Sequence, residues 1–155
     1  MWVSHDLGEC FRNCRKVCVM ENGVSSPVSA MQALMYRPAT AGAARLAGCH
    51  NFLSGRCSPD GIHLDGWELI LPLHPDAECV TVAVPDNAVT LLKEDSTARV
   101  ARVIHDLNGT VVMLQSPRSA DAPLLRVVLP ESANAAEGDV VHFGLLAERC
   151  LHWPQ

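Results

Sequence analysis

Residues 98–115 read Ala-Arg-Val-Ala-Arg-Val-Ile-His-Asp-Leu-Asn-Gly-Thr-Val-Val-Met-Leu-Gln. Two β-rich runs flank Asn108-Gly109, and both of those residues tolerate the positive φ that a type I′ turn demands. The stretch predicts a hairpin with strands over 98–107 and 110–115. Further short β-type runs lie at 67–71, 79–84, 88–92, 124–129 and 140–143. Turn signals punctuate them at Pro85-Asp86-Asn87 and at Ala135-Ala136-Glu137-Gly138-Asp139. Many short strands at this spacing predict a small barrel or sandwich.

Upstream the pattern is helical. Residues 2–4 read as a short strand ending at His5-Asp6. Residues 7–16 read as a helix, with Asp6 as N-cap and Glu9 in a capping-box position. Val17 to Met20 is a continuous apolar run, predicted to be a buried strand, and Asn22-Gly23 is a turn signal. Ser26-Pro27 supplies an N-cap and a first-turn proline for a helix to Tyr36, which Arg37-Pro38 stops. Residues 40–47 are alanine-rich and helical, with Gly48 as the stop. The change of character falls between Gly48 and Ser58.

The chain has 155 residues, of which 48% are hydrophobic and 19% charged, a globular composition sufficient for one domain or one small domain with an appendage. A formal charge of -5 argues against nucleic acid or an anionic membrane as partner, since both select clustered Lys and Arg. No apolar run reaches the length of a membrane span, and no basic, apolar leader follows Met1. The seven cysteines (10, 14, 18, 49, 57, 79 and 150) are therefore expected to be reduced thiols. Cys10, Cys14 and Cys18 recur every four residues, and buried small side chains are the simpler reading than a metal site. Cys49-His50, Cys57 and His63 fit no common zinc spacing, so no metal is expected. Trp67 and Trp153 read as packing residues. No Ser/His/Asp or Cys/His pair has a local signature that nominates a nucleophile.

The succession His5-Asp6, Glu9, Val17 to Met20, Asn22-Gly23 and Arg37-Pro38 resembles the end of the nucleotide-binding domain of ABC-transporter ATP-binding subunits, from the switch histidine onward. Arg45-Leu46-Ala47-Gly48-Cys49-His50-Asn51 is similar to the domain junction of molybdate-import ATP-binding subunits. Ala101-Arg102-Val103-Ile104-His105-Asp106 and Thr110-Val111-Val112-Met113-Leu114 are similar to the TOBE domain of that subfamily. The resemblance implies an α+β chain: residues 1–50 as the C-terminal remnant of an α/β nucleotide-binding domain, and residues 51–155 as a TOBE-like (OB-like) β-barrel. It also implies that His5 is the switch histidine, meeting the γ-phosphate of ATP in a complete subunit that supplies ATP and Mg²⁺. The implied partners are a permease subunit and a second ATP-binding subunit, with a homodimer as an option. The implied location is cytoplasmic, peripheral to the inner face of the cell membrane.

Hydrolysis needs a phosphate cradle, a lysine, Mg²⁺ and a carboxylate near the attacking water. The sequence contains no Gly-x-x-x-x-Gly-Lys-Ser/Thr, no apolar run closed by paired acids, and no Ser-Gly-Gly-Gln signature. His5 thus has nothing to act on within this chain. The family pattern is also broken by Arg15-Lys16 in place of Asp-Arg, by Gly8 in place of an acid, and by Val82 to Asp86 in place of a Gly-Ile-Arg-like strand. Ser96-Thr97-Ala98-Arg99 loosely matches a Ser-Ala-Arg-Asn-like stretch of molybdate-binding modules, which makes Ser96, Thr97 and Arg99 candidate oxyanion contacts. Two functions follow as expectations. One is a partial ATP-binding subunit of an importer for molybdate or a related oxyanion, its β domain serving dimerisation or regulation, without autonomous hydrolysis. The other is a stand-alone oxyanion-binding or dimerisation module.

Overall fold

The computed structural model describes residues 3–91, 96–106, 109–130 and 133–155. The chain forms two compact units, residues 1–49 and 50–155. Helix and strand are mixed, and strand predominates.

In the first unit, α1 (Leu7–Asn13) starts where the Asp6 carboxylate accepts the Glu9 N–H at 2.8 Å, as an N-cap should. The reciprocal half of the capping box is replaced by Ser4. Its hydroxyl donates to Glu9 at 3.1 Å and accepts from the Asp6 N–H at 3.1 Å. The helix stops at Asn13, short of the predicted Lys16, because Cys14 is extended (φ -119°, ψ 131°). The short strands β1 (Lys16–Val17), β2 (Met20–Glu21), β3 (Val24–Ser25) and β4 (Ser29–Ala30) follow. They form two antiparallel pairs, β1 with β4 and β2 with β3. Asn22 (φ 52°) and Gly23 (φ 79°) make the tight turn between β2 and β3, at the expected place.

Three expectations fail here. Val17 to Met20 is not one buried strand: Val19 is buried, but Met20 is 74% exposed. The ladder breaks because Ser26 binds Val19 twice, its hydroxyl accepting the Val19 N–H at 2.9 Å and its own N–H reaching the Val19 carbonyl at 2.7 Å. That use of the Ser26 hydroxyl also removes the predicted N-cap. The next helix, α2 (Met31–Tyr36), begins after β4 and ends at Arg37, ahead of Pro38. Val3 and Ser4 lie in no strand, and Trp2 lies outside the described residues. Then α3 (Ala41–Leu46) is capped by Thr40, whose Oγ1 accepts the Ala43 N–H at 3.0 Å, and ends before Gly48 (φ 91°).

The core of this unit is Val19, Met31, Leu34 and Ala43, with Leu7, Cys10, Cys14 and Val17 partly buried against it. So few buried side chains give little hydrophobic stabilisation for a unit this small. Native-state hydrogen exchange should therefore be faster by at least about tenfold in β1 to β4 than in the long hairpin of the second unit. Equal protection in both would contradict that estimate.

The second unit contains β5 (Asn51–Ser58), β6 (Gly61–Leu64), β7 (Ile70–Leu71), β8 (Cys79–Val84), β9 (Val89–Thr90), β10 (Ser96–Asp106), β11 (Gly109–Gln115), β12 (Leu125–Leu129), β13 (Val140–Leu145) and β14 (Leu151–Pro154). The predicted hairpin is β10 and β11, paired from Arg99↔Gln115 to Asp106↔Gly109. Of the predicted Asn108-Gly109 turn, Gly109 opens β11, and Asn108 lies outside the described residues, as do Leu107 of the 98–107 run and Leu92 of the 88–92 run. The predicted 67–71 strand shortens to β7 because Trp67 and Leu69 turn inward to the core. The 135–139 turn forms as expected, Asp139 accepting the Ala136 N–H at 2.7 Å.

Two five-stranded antiparallel sheets result, ordered β12-β11-β10-β13-β9 and β14-β8-β5-β6-β7. They join at one corner because β8–β9 and β13–β14 run side by side through it. Leu151↔Ala83 pairs on one side, Leu145↔Val89 on the other, and the Leu146 N–H reaches the Ala88 carbonyl between them. Following the pairing gives β5, β8–β9, β14–β13, β10, β11 and β12, a nearly closed barrel-like circuit. The alternate residues facing inward form one continuous core that includes Leu53, Ile62, Val82, Val100, Val112, Leu125 and Phe143. Trp67 meets Phe143 edge-on, with ring centroids 5.6 Å apart, and its indole N–H donates to the Pro123 carbonyl.

Candidate functional site

His5 sits in a bend ahead of α1, exposed, with no hydrogen bond among the described residues. Lys16, the lysine of this unit, is exposed on β1. No group of three or more His, Cys, Asp or Glu side chains among the described residues could hold a metal ion.

Ser96, Thr97 and Arg99 all fall on β10, but alternation divides them. Ser96 pairs with the fully buried Phe143 and shares the face of Ala98 and Val100, which point into the core. Thr97 and Arg99 take the outer face, opposite His142 and Val140. The Arg99 guanidinium donates to the Gly138 carbonyl at 3.1 Å. These three side chains do not converge on a common point, so they make no ready-made oxyanion cradle.

The most connected polar group in the barrel is one that sequence reasoning missed. Asn51 opens β5, is buried, and spans the gap to β12. Its Nδ2 donates to the Arg126 carbonyl at 2.9 Å and to the Val84 carbonyl at 3.0 Å. Its Oδ1 accepts the Arg126 N–H at 2.6 Å. One side-chain amide thus reproduces a backbone ladder pair across the seam where the circuit would otherwise be open. The Arg126 guanidinium then ion-pairs with Asp86, in the single turn of 3₁₀ helix (Asp86–Ala88) after β8. Asp86 Oδ1 is buried without a partner. The signal available in the sequence was a polar residue on the inward phase of the apolar alternation Asn51, Leu53.

A second polar cluster sits at the β5–β6 turn, where Ser58-Pro59-Asp60-Gly61 reverses the chain. Asp60 accepts from the His63 Nε2–H at 3.0 Å and from the Ser58 hydroxyl. Those two bonds, His63 first, hold the Asp60 carboxyl at about 2, below its ordinary 3.8. Ser58 and His63 both address the carboxylate, not each other, so the hydroxyl is not activated as a nucleophile. A depressed folded-state value contributes stability above pH 3.8 and loses it as pH falls towards 2. Carboxyl-resolved NMR titration should find Asp60 still ionised at pH 3, and His63→Ala should raise its midpoint.

None of the seven cysteines is in a disulfide. Cys150 is buried and Cys10, Cys14, Cys49 and Cys57 half-buried, while Cys18 and Cys79 are exposed, so the Cys10-Cys14-Cys18 series expected as buried small side chains is buried only in part. The run leaves the helix after Cys14, and the Cys18 thiol turns to the Ser26 carbonyl at 3.0 Å. A shallow pocket of about 360 Å³ lies between Glu68, Leu69, Ile70, Leu71 and Leu145. Its one charged group, Glu68, is taken by Arg118 at 2.7 Å. No helix among the described residues is long and apolar enough to cross a membrane. No family model matches the chain, and no curated protein matches it.

Proposed function

We propose that the chain works as the switch-histidine and regulatory portion of an ATP-binding subunit of an ABC importer for molybdate or a related oxyanion, with a TOBE-like barrel and no hydrolysis of its own. The supporting observation is the change of architecture at Cys49 and His50. A small helix-and-hairpin unit ends there, and a barrel-like β unit begins within the segment whose sequence resembles the subunit junction. The resemblance supplies the substrate class and the partners: a permease and a second ATP-binding subunit at the inner face of the membrane. His5 takes its role only where another polypeptide segment brings the phosphate-gripping groups. In this reading the barrel is a regulatory or dimerising body.

The stand-alone oxyanion-binding alternative is less favoured, since Ser96 faces the core and Arg99 is engaged by Gly138. Calorimetry separates the two. Molybdate, tungstate and sulfate should give no heat and no thermal shift with the isolated chain. Saturable heat with molybdate, abolished in Arg99→Ala, would move the assignment to the stand-alone module.

A further inference from the structure

We propose that Cys10, Cys14 and Met31 form a three-sulfur site for a soft monovalent metal ion, Cu(I). The proposal goes beyond the importer assignment and draws only on residues of the 1–49 unit. The turn that ends α1 joins the two cysteines. There the Cys14 N–H donates to the Cys10 carbonyl at 2.7 Å, so the pair keeps helical i, i+4 spacing up to the cap. Both side chains are half-buried against the same small cluster of Val19, Met31, Leu34 and Ala43, which puts the two thiols on one side of the helix. Met31 is 4% exposed within that cluster. Its backbone is held beside the same turn, its N–H donating at 3.0 Å to the carbonyl of Arg15, the residue after Cys14. The pairing of β1 with β4, Lys16 opposite Ala30, keeps the two segments in register.

Distance decides what two such thiols can do. Cβ atoms at i and i+4 stand about 5–6 Å apart on a helix, wider than the about 3.5–4.5 Å that a disulfide spans. One ion bound to both sulfurs, at a metal–thiolate length of about 2.3 Å, fits the wider gap. Two ligands at i, i+4 on one helix face are a recurring metal-binding arrangement.

The third donor selects the ion. A structural zinc site takes four Cys, His or carboxylate ligands. Among the described residues, no His, Cys, Asp or Glu completes this pair to a group of three that could hold a metal. Cys18 does not join it, since its thiol turns to the Ser26 carbonyl at 3.0 Å. The remaining sulfur in the cluster is the Met31 thioether, on a side chain flexible enough to turn towards the pair. Two thiolates and a thioether are a soft set with too few donors for zinc, and they suit Cu(I). Binding displaces one proton from each thiol, so the complex tightens as pH rises.

Anaerobic titration of the full chain with Cu(I), supplied as its acetonitrile complex against bicinchoninate as competitor, tests this. The parent and Cys18→Ala/Cys79→Ala should both withhold the first equivalent from the competitor. Cys10→Ala and Cys14→Ala should each lose it, with an unchanged circular-dichroism spectrum. X-ray absorption at one equivalent should count three sulfur neighbours in the parent and two in Met31→Leu, a substitution of matched volume that also weakens binding. That count reads the site even where a cysteine variant fails to fold. A parent chain that cannot compete for the first equivalent would overturn the proposal. So would a first equivalent that survives Cys10→Ala/Cys14→Ala, one that needs Cys18, or a sulfur count unchanged by Met31→Leu. Zinc held at the same cysteines as tightly as Cu(I) would overturn the choice of ion.

Discussion

Asn51→Ala should lower the stability of the barrel by about 3 kcal/mol, because it leaves the Arg126 N–H and the Arg126 and Val84 carbonyls short of a partner at a buried seam. For a unit of this size that is a fall of about 13 °C in melting temperature. The small side chain removed carries almost no hydrophobic burial, so the lost hydrogen bonds must account for the effect. Asn51→Asp should be nearly as damaging: it keeps an acceptor for Arg126 but loses the donor that holds two carbonyls, and it buries a charge. Chemical denaturation followed by far-UV circular dichroism measures both. A loss below about 1 kcal/mol would mean that the seam is held by core packing and not by the amide.

Phe143→Ala should cost more, about 3–5 kcal/mol. Phe143 is fully buried, belongs to β13 where the circuit passes from one sheet to the other, and packs against the edge of Trp67. Truncation opens a cavity that the flanking strands cannot collapse into, since each is fixed by its own ladder. Trp67 fluorescence should shift to the red as its surroundings loosen. Met20→Ser, on the exposed hairpin of the small unit, should stay within about 0.5 kcal/mol of the parent. Equal losses from Phe143→Ala and Met20→Ser would refute the assignment of the core.

Much of this fold was legible where local chemistry acts alone. Asp6, Gly48 and Arg37-Pro38 cap or stop their helices as their types require, and Asn22-Gly23 turns the hairpin. The run 79–84 became β8 with those same limits, since its apolar content needs no distant partner to declare it a strand. The failures have tertiary causes. Ser26 has the look of a cap, yet it bonds to Val19 across the β2–β3 hairpin. Trp67 and Leu69 leave the strand pattern to fill the core beside Phe143. β3, β4, β5, β6 and β14 were not predicted, and β4 falls inside the helix expected to run to Tyr36. Arg56 and Gly55 interrupt the alternation of β5, and Pro154 closes β14, a residue expected at sheet edges.

The polar architecture was less legible than the elements. Asn51, Arg126 and Asp86 are separated by long stretches of sequence and meet only when the barrel closes, so no local motif marks them. Ser96, Thr97 and Arg99 failed as a set for the opposite reason. Their adjacency suggested a cluster, but neighbours along a strand point to opposite faces. His5 lies exposed in a bend ahead of the Asp6-capped helix, and no strand among the described residues leads into it as the run 2–4 predicted.

Steady-state turnover of Mg–ATP by the purified chain, with His5→Ala alongside, is the most direct test of an importer subunit portion that cannot hydrolyse unaided. Phosphate release by the two proteins should be indistinguishable from that of buffer. Turnover by the parent chain that disappears in His5→Ala would show that these 155 residues grip and cleave the nucleotide themselves.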